Sequence, residues 1–119
     1  MPETHDVRAF ARYVPVSAQK VRLVVDLIRG QEANRALDLL HFTPNAAARP
    51  VAKVLRSAIA NAEENFGLSR DLLIVAQAFA DEGPTRRWRR FGARGRFKPI
   101  LRRTSNVTII LREREQAPA

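Results

Sequence analysis

Apolar and charged positions alternate near the start of the chain. Val7, Ala9, Ala11 and Tyr13 interleave with Arg8, Phe10 and Arg12, a period of two that predicts a strand over Val7–Val14, ended by Pro15. The period then lengthens. Val21, Val24, Val25 and Ile28 recur at helical spacing and predict a helix over Ala18–Arg29, with Ser17 as N-cap, Arg29 in the last turn and Gly30 as the stop. A short helix is expected over roughly Glu32–Leu40, with Ala36, Leu37, Leu39 and Leu40 as its apolar residues. Thr43-Pro44 reads as an N-cap followed by proline at the first helical position. From there a long helix should run to about Asn65. Its stripe is Val51, Val54, Leu55, Ala58, Ile59 and Ala62, Gly67 closes it, and Pro50 either kinks it or marks where its regular part begins. Ala58, Ala60 and Ala62 should allow close packing.

Leu72–Asp81 and Asn106–Leu111 read as two further strands. Gly92 and Gly95 lie near the middle of the stretch between them, with arms of similar length on either side, each about nine residues or ~30 Å. This predicts a long β-hairpin over residues 84–105 within a single domain of residues 1–119. A two-stranded ribbon is marginal in water, so it should become fully ordered only against a partner.

Charge identifies that partner's chemistry. The 119-residue chain carries a net charge of +9. Arg86, Arg87, Arg89, Arg90, Arg94, Arg96, Lys98, Arg102 and Arg103 all fall between Thr85 and Arg103, with no acid among them. The other 12 bases balance the 12 acids, so one segment holds the whole excess. Solubility charge is normally scattered and mixed in sign; a block like this points to a polyanion. Arginine offers planar, bidentate phosphate recognition, and Trp88, Phe91 and Phe97 supply faces on which unpaired bases can stack. An anionic membrane surface fits less well, because Gly92, Gly95 and Pro99 oppose an amphipathic helix.

Other signals are weak. Gly92-Ala93-Arg94-Gly95 matches the GxxG backbone clamp, but between strands instead of helices. Ser17-Ala18-Gln19-Lys20 matches an SxxK acylation motif without that motif's companions, and a capping role accounts for Ser17. Asn106-Val107-Thr108 is a sequon in a strand. Asp81-Glu82, before Gly83-Pro84, suit a turn better than catalysis. His5 and His41 lie in no ligand-like cluster, and Cys is absent, which excludes disulfides and thiolate metal sites. The polar N-terminus is unlike a signal peptide, and no apolar run approaches the ~20 residues of a membrane span. The expectation is a soluble, intracellular, non-enzymatic protein with no metal, cofactor or small-molecule substrate.

SAQKVRLVVDLIRG (Ser17–Gly30), KVLRSAIANAEEN (Lys53–Asn65), DEGP (Asp81–Pro84), ARGR (Ala93–Arg96) and ILRRTSNVTIIL (Ile100–Leu111) together resemble the bacterial large-subunit ribosomal protein L-twenty-two family, in order over roughly Ala11–Arg114. The resemblance implies an α+β body of three helices packed on a small antiparallel sheet, with one long protruding hairpin. It implies binding to 23S-type ribosomal RNA, support of assembly, neighbouring ribosomal proteins as partners, and a hairpin tip lining the nascent-peptide exit tunnel in the cytoplasmic large subunit. On this resemblance the arms (Arg86, Arg87, Trp88, Arg89, Arg90, Phe97, Lys98, Arg102 and Arg103) and the body residues Arg12, Ser17, Lys20 and Arg22 face RNA. Phe91, Gly92, Arg94, Gly95 and Arg96 form the tip. Asn106 stands where the family usually has His, and Trp88, Phe91, Phe97 and Pro99 also depart from its pattern. A free nucleic-acid-binding module, such as an RNA chaperone, is the competing reading of the same charge.

Overall fold

The computed structural model describes residues 6–91 and 97–113, with the backbone alone at residues 86–91 and 97–101. The expected tip residues Gly92, Arg94, Gly95 and Arg96, and the GxxG motif with them, lie outside the described residues. The elements run β1 (Asp6–Val14), α1 (Ala18–Ile28), α2 (Ala33–Phe42), α3 (Ala48–Phe66), a 3-10 turn (Arg70–Leu72), β2 (Leu73–Glu82), β3 (Arg86–Phe91), β4 (Phe97–Arg102) and β5 (Ser105–Glu113). Three helices pack on one face of an antiparallel sheet of order β1-β5-β2, giving the expected α+β fold. β3 and β4 pair only with each other.

The core forms where two periodicities meet. Val7 and Ala9 of β1, Leu73, Val75, Ala78 and Ala80 of β2, and Val107, Ile109 and Leu111 of β5 present one sheet face. Against it lie Val21, Val24, Val25 and Ile28 of α1 and the whole expected stripe of α3, Val51 through Ala62. Gly67 adopts a left-handed conformation (φ 62°), and the Leu68 N–H closes the helix on the Ala62 carbonyl, a Schellman-type stop. α1 ends differently: Arg29 leaves the helix in an extended conformation, and the N–H of Gly30 (φ 82°) donates to the Val75 carbonyl of β2.

Five local expectations are corrected. Thr43-Pro44 does not start α3: Thr43 caps the end of α2, its hydroxyl donating to the Leu39 carbonyl at 2.5 Å. The turn into α3 is made by Asn45, whose side-chain oxygen accepts the Ala47 N–H and whose carbonyl accepts the Ala48 N–H. Pro50 therefore sits in the first helical turn, where a missing N–H costs nothing, and α3 begins there without a kink at its centre. Ala60 is exposed, so only Ala58 and Ala62 serve close packing. In β1 the alternation breaks after Ala11: a bulge puts Tyr13 at φ 61° and 62% exposed, and Val14 takes the buried position instead. Ser17 occupies the N-cap position of α1 but makes no side-chain capping hydrogen bond, and Arg29 lies one residue past the last turn.

Candidate nucleic-acid interface

The ribbon leaves the body as a continuation of β2 and β5. Glu82 and Ser105 form the last pair of the main sheet, and Ser105 is fully buried. One step further out, the Gly83 N–H donates to the Thr104 carbonyl at 2.9 Å, and the Thr104 hydroxyl donates to the Pro84 carbonyl at 2.8 Å. A Cβ on Gly83 would collide with that hydroxyl, so the close approach requires glycine. These bonds set the direction in which β3 and β4 depart. A cleft of about 340 Å³ beside this root brings Ser17 and Gln19, at the start of α1, together with Thr85 and Arg103. Ser17 and Arg103, far apart in sequence and both expected at RNA, thus line one cleft.

Beyond the root, the register is Arg86↔Arg102, Arg87↔Leu101, Trp88↔Ile100, Arg89↔Pro99, Arg90↔Lys98 and Phe91↔Phe97. Two of the six pairs set like charges directly opposite each other, an arrangement that destabilises an isolated hairpin. Each paired strand has six residues, against the nine expected per arm. Pro99 lies on a two-stranded ribbon, where both strands are edges and proline is tolerated.

On the body, the outer face of β1 exposes Arg8, Phe10 and Arg12, with the Arg12 guanidinium 5.4 Å from the centre of the Phe10 ring. Lys20 is exposed on α1. Arg22 is only partly available, because its Nε donates to the Ala80 carbonyl at 3.0 Å. Arg29 is held more firmly: Nε and Nη2 both donate to the Ala78 carbonyl, and Nη1 pairs with Asp26 at 2.7 Å. Both arginines cross-link α1 to β2. Asn106 uses its side-chain oxygen to accept the Tyr13 N–H freed by the bulge, at 3.1 Å. The sequon is thus part of the central strand and not a surface loop.

Sequence reasoning missed a second group of cations, Arg49, Lys53 and Arg56 on the exposed side of α3. Their spacing of four and three was a legible signal. The resolved electrostatic shifts lie away from the arm. The Arg112 guanidinium, hydrogen-bonded to Asp6, holds that carboxyl below its ordinary value, and is itself raised by it. Glu63 raises Arg70 in the same way. Among the described residues no three His, Cys, Asp or Glu side chains are grouped to hold a metal, and no helix is long and apolar enough to cross a membrane.

The family model described as Ribosomal protein L22p/L17e matches residues 9–112. The large ribosomal subunit protein uL22 of Thermoanaerobacter sp. (strain X514) is 54% identical over 110 residues, which is 92% of this chain and 99% of that protein. The protein of the same name from Streptococcus pyogenes serotype M6 is 50% identical over 114 residues, 96% of this chain and all of that protein.

Proposed function

The chain belongs to the ribosomal protein L22p/L17e family, a family of structural ribosomal proteins and not of enzymes, and from that premise we propose that it binds large-subunit ribosomal RNA through its arm and the adjoining body surface. Its relatives are named as large-subunit proteins, and that subunit is cytoplasmic in bacteria. On this reading residues 1–119 act as one domain with 84–105 as its arm, and neighbouring ribosomal proteins are further partners. Arg86, Arg87, Arg89, Arg90, Lys98, Arg102 and Arg103 neutralise phosphates and release counterions, and Trp88 and Phe97 stack on unpaired bases. Arg12, Ser17, Lys20 and the free part of Arg22 extend the surface at the root. Phe91, Gly92, Arg94, Gly95 and Arg96 line the nascent-peptide exit tunnel, and the arm supports assembly by bridging RNA segments.

The observation that carries the reading is the ribbon's register. It sets Arg86 against Arg102 and Arg90 against Lys98, a repulsion that a polyanion bound along the strands would relieve. Replacing Arg102 and Arg103 with Ala should lower the slope of log affinity against log salt for large-subunit RNA by about two. An unchanged slope would remove both from the set of phosphate contacts. The full chain should also sediment with the large subunit through a high-salt wash. Release in that wash would favour a free RNA-binding module.

A further inference from the structure

β2 is an edge strand, last in the order β1-β5-β2. From Leu73 to Ala80 it reads LIVAQAFA, with no charge, no proline and no glycine. Such a run on a sheet edge is the pattern that pairs with a second chain. β5 is also uncharged from Ser105 to Leu111, but it is central and has a strand on each side. β1, the other edge, is broken up by Arg8, Arg12 and the bulge after Ala11. β2 has one bulge, between Val75 and Gln77, and then runs regularly to Glu82 with no charge before Asp81.

The register shows which groups of β2 face outward. The Gly83 N–H donates to the Thr104 carbonyl, so Gly83 faces the β5 side. Backbone groups change sides at every residue, so Ala80 and Ala78 face the open edge. Val75, beyond the bulge, faces it too: its N–H donates to the Gln31 carbonyl and its carbonyl accepts the Gly30 N–H, both at 2.9 Å. The turn between α1 and α2 thus fills the start of the edge. The Ala78 carbonyl accepts Nε and Nη2 of Arg29 at 3.2 and 2.6 Å. The Ala80 carbonyl accepts Nε of Arg22 at 3.0 Å. Asp26, between the two arginines on the same side of α1, holds the Arg29 guanidinium at 2.7 Å.

We propose that Arg22 and Arg29 are edge guards: they occupy the carbonyls that an added strand would use, and so keep the free chain from pairing through β2 with a second copy of itself. A carbonyl that already accepts a charge-assisted bond is a poor acceptor for an incoming N–H, and a strand laid over the edge would bury the guanidinium it displaced. The guard comes from a helix because the strand has no room for it. The side chains of Ala78 and Ala80 point under the helices and are buried, so neither outward position can carry its own lysine or arginine. A second copy is the competitor because β2 meets β2 without charge on either side. Antiparallel pairing would also send the two basic arms, which follow β2 in the chain, in opposite directions. The inference is independent of the RNA reading and concerns the chain before it meets any partner.

The test is the association state of the free full chain. Arg22→Met/Arg29→Met keeps two long unbranched stems and removes both guanidiniums. In sedimentation velocity the unaltered chain should remain a monomer, while the double variant should form dimers or larger species between about 10 and 100 µM. Amide exchange gives the location. The Ala78 and Ala80 N–H groups should exchange more slowly by about tenfold or more in the associated variant, and not in the unaltered chain. Gln77→Lys, at an exposed position of β2, should return the double variant to monomer without restoring either bond. Arg29→Met alone should associate in the same range, and covers the case in which the double variant does not fold. Folded variants that stay monomeric, with only a lower unfolding midpoint, would reduce both arginines to a tie between α1 and β2 and overturn the proposal. Association that leaves the Ala78 and Ala80 amides unprotected, or that Gln77→Lys does not reverse, would put the contact on another surface and overturn it equally.

Discussion

β4 and β5 lie on one stretch of chain, separated only by Arg103 and Thr104, yet they are held by different forces. β5 is the central strand of its sheet, and Val107, Ile109 and Leu111 are buried against the helices. β4 has a single partner, and that partner opposes its cations with cations. The body is stable because apolar surface leaves water. The ribbon has the hydrogen-bonding geometry of a strand pair without a layer of helices to cover it. The change occurs over two residues, at the Gly83–Thr104 bond. A strand is thus not a unit of stability: the same backbone pairing is covered by helices in one place and paired with a single strand a few residues away.

The largest expected effect is confined to the body. Leu55→Ala removes a fully buried side chain from the middle of α3, and should lower stability by about 2–5 kcal/mol in denaturant unfolding. A loss below 1 kcal/mol would mean the body is not held by this core. Gly83→Ala comes next. The added Cβ meets the Thr104 hydroxyl and lies 3.3 Å from the Thr104 carbonyl carbon, so a loss of about 1–3 kcal/mol is expected, with changed backbone shifts at Thr104 and Ser105. Unchanged shifts would show that the root is looser than the geometry implies. Arg102→Glu turns the pair with Arg86 from repulsive to attractive. It should slow amide exchange in the free ribbon, by an amount equivalent to about 0.2–1 kcal/mol, while weakening RNA binding. Tighter RNA binding would refute the role given to the ribbon's charge.

The smallest effect belongs to Asp6. Arg112 lowers its folded-state pKa, so the unfolded chain binds that proton more readily. The pair therefore stabilises at pH values above the ordinary carboxylate range, and its contribution fades as the pH falls through the lowered value. Both side chains are more than a third exposed, which limits its size. Asp6→Asn should shift the midpoint slightly at pH 7 and not at all in strong acid. An equal shift at both would mean that packing, not charge, is responsible.

Much of this arrangement was legible in the sequence because it depends on local period and composition. The α3 stripe, the Gly67 stop and the acid-free arm are each visible within a window of 20 residues. What was hidden depends on partners distant in the chain. Thr43-Pro44 is an equally good signal for the end of α2 as for the start of α3, and only the Leu39 carbonyl decides between them. The alternation through Tyr13 continues in the sequence but not in the sheet, since the bulge is set by pairing with β5 and secured by Asn106. Arg22 and Arg29 read as surface cations, and their engagement of the Ala80 and Ala78 carbonyls required the position of β2. Ser17 read as a cap, yet its place at the root, beside Arg103, is the more informative fact. The Arg49–Arg56 series is inconspicuous in the sequence because Glu63 and Glu64 of the same helix offset most of its charge.

The central claim, that the body folds by itself while the ribbon depends on RNA, is tested most directly by amide hydrogen exchange on the full chain with and without large-subunit RNA. Without RNA, the amides of Lys53–Asn65 should be strongly protected, and those of Arg86–Phe91 and Phe97–Arg102 should exchange nearly as fast as an unfolded chain; RNA should protect the ribbon and leave the helix unchanged. A ribbon as protected as the Lys53–Asn65 helix in the absence of RNA would contradict the account.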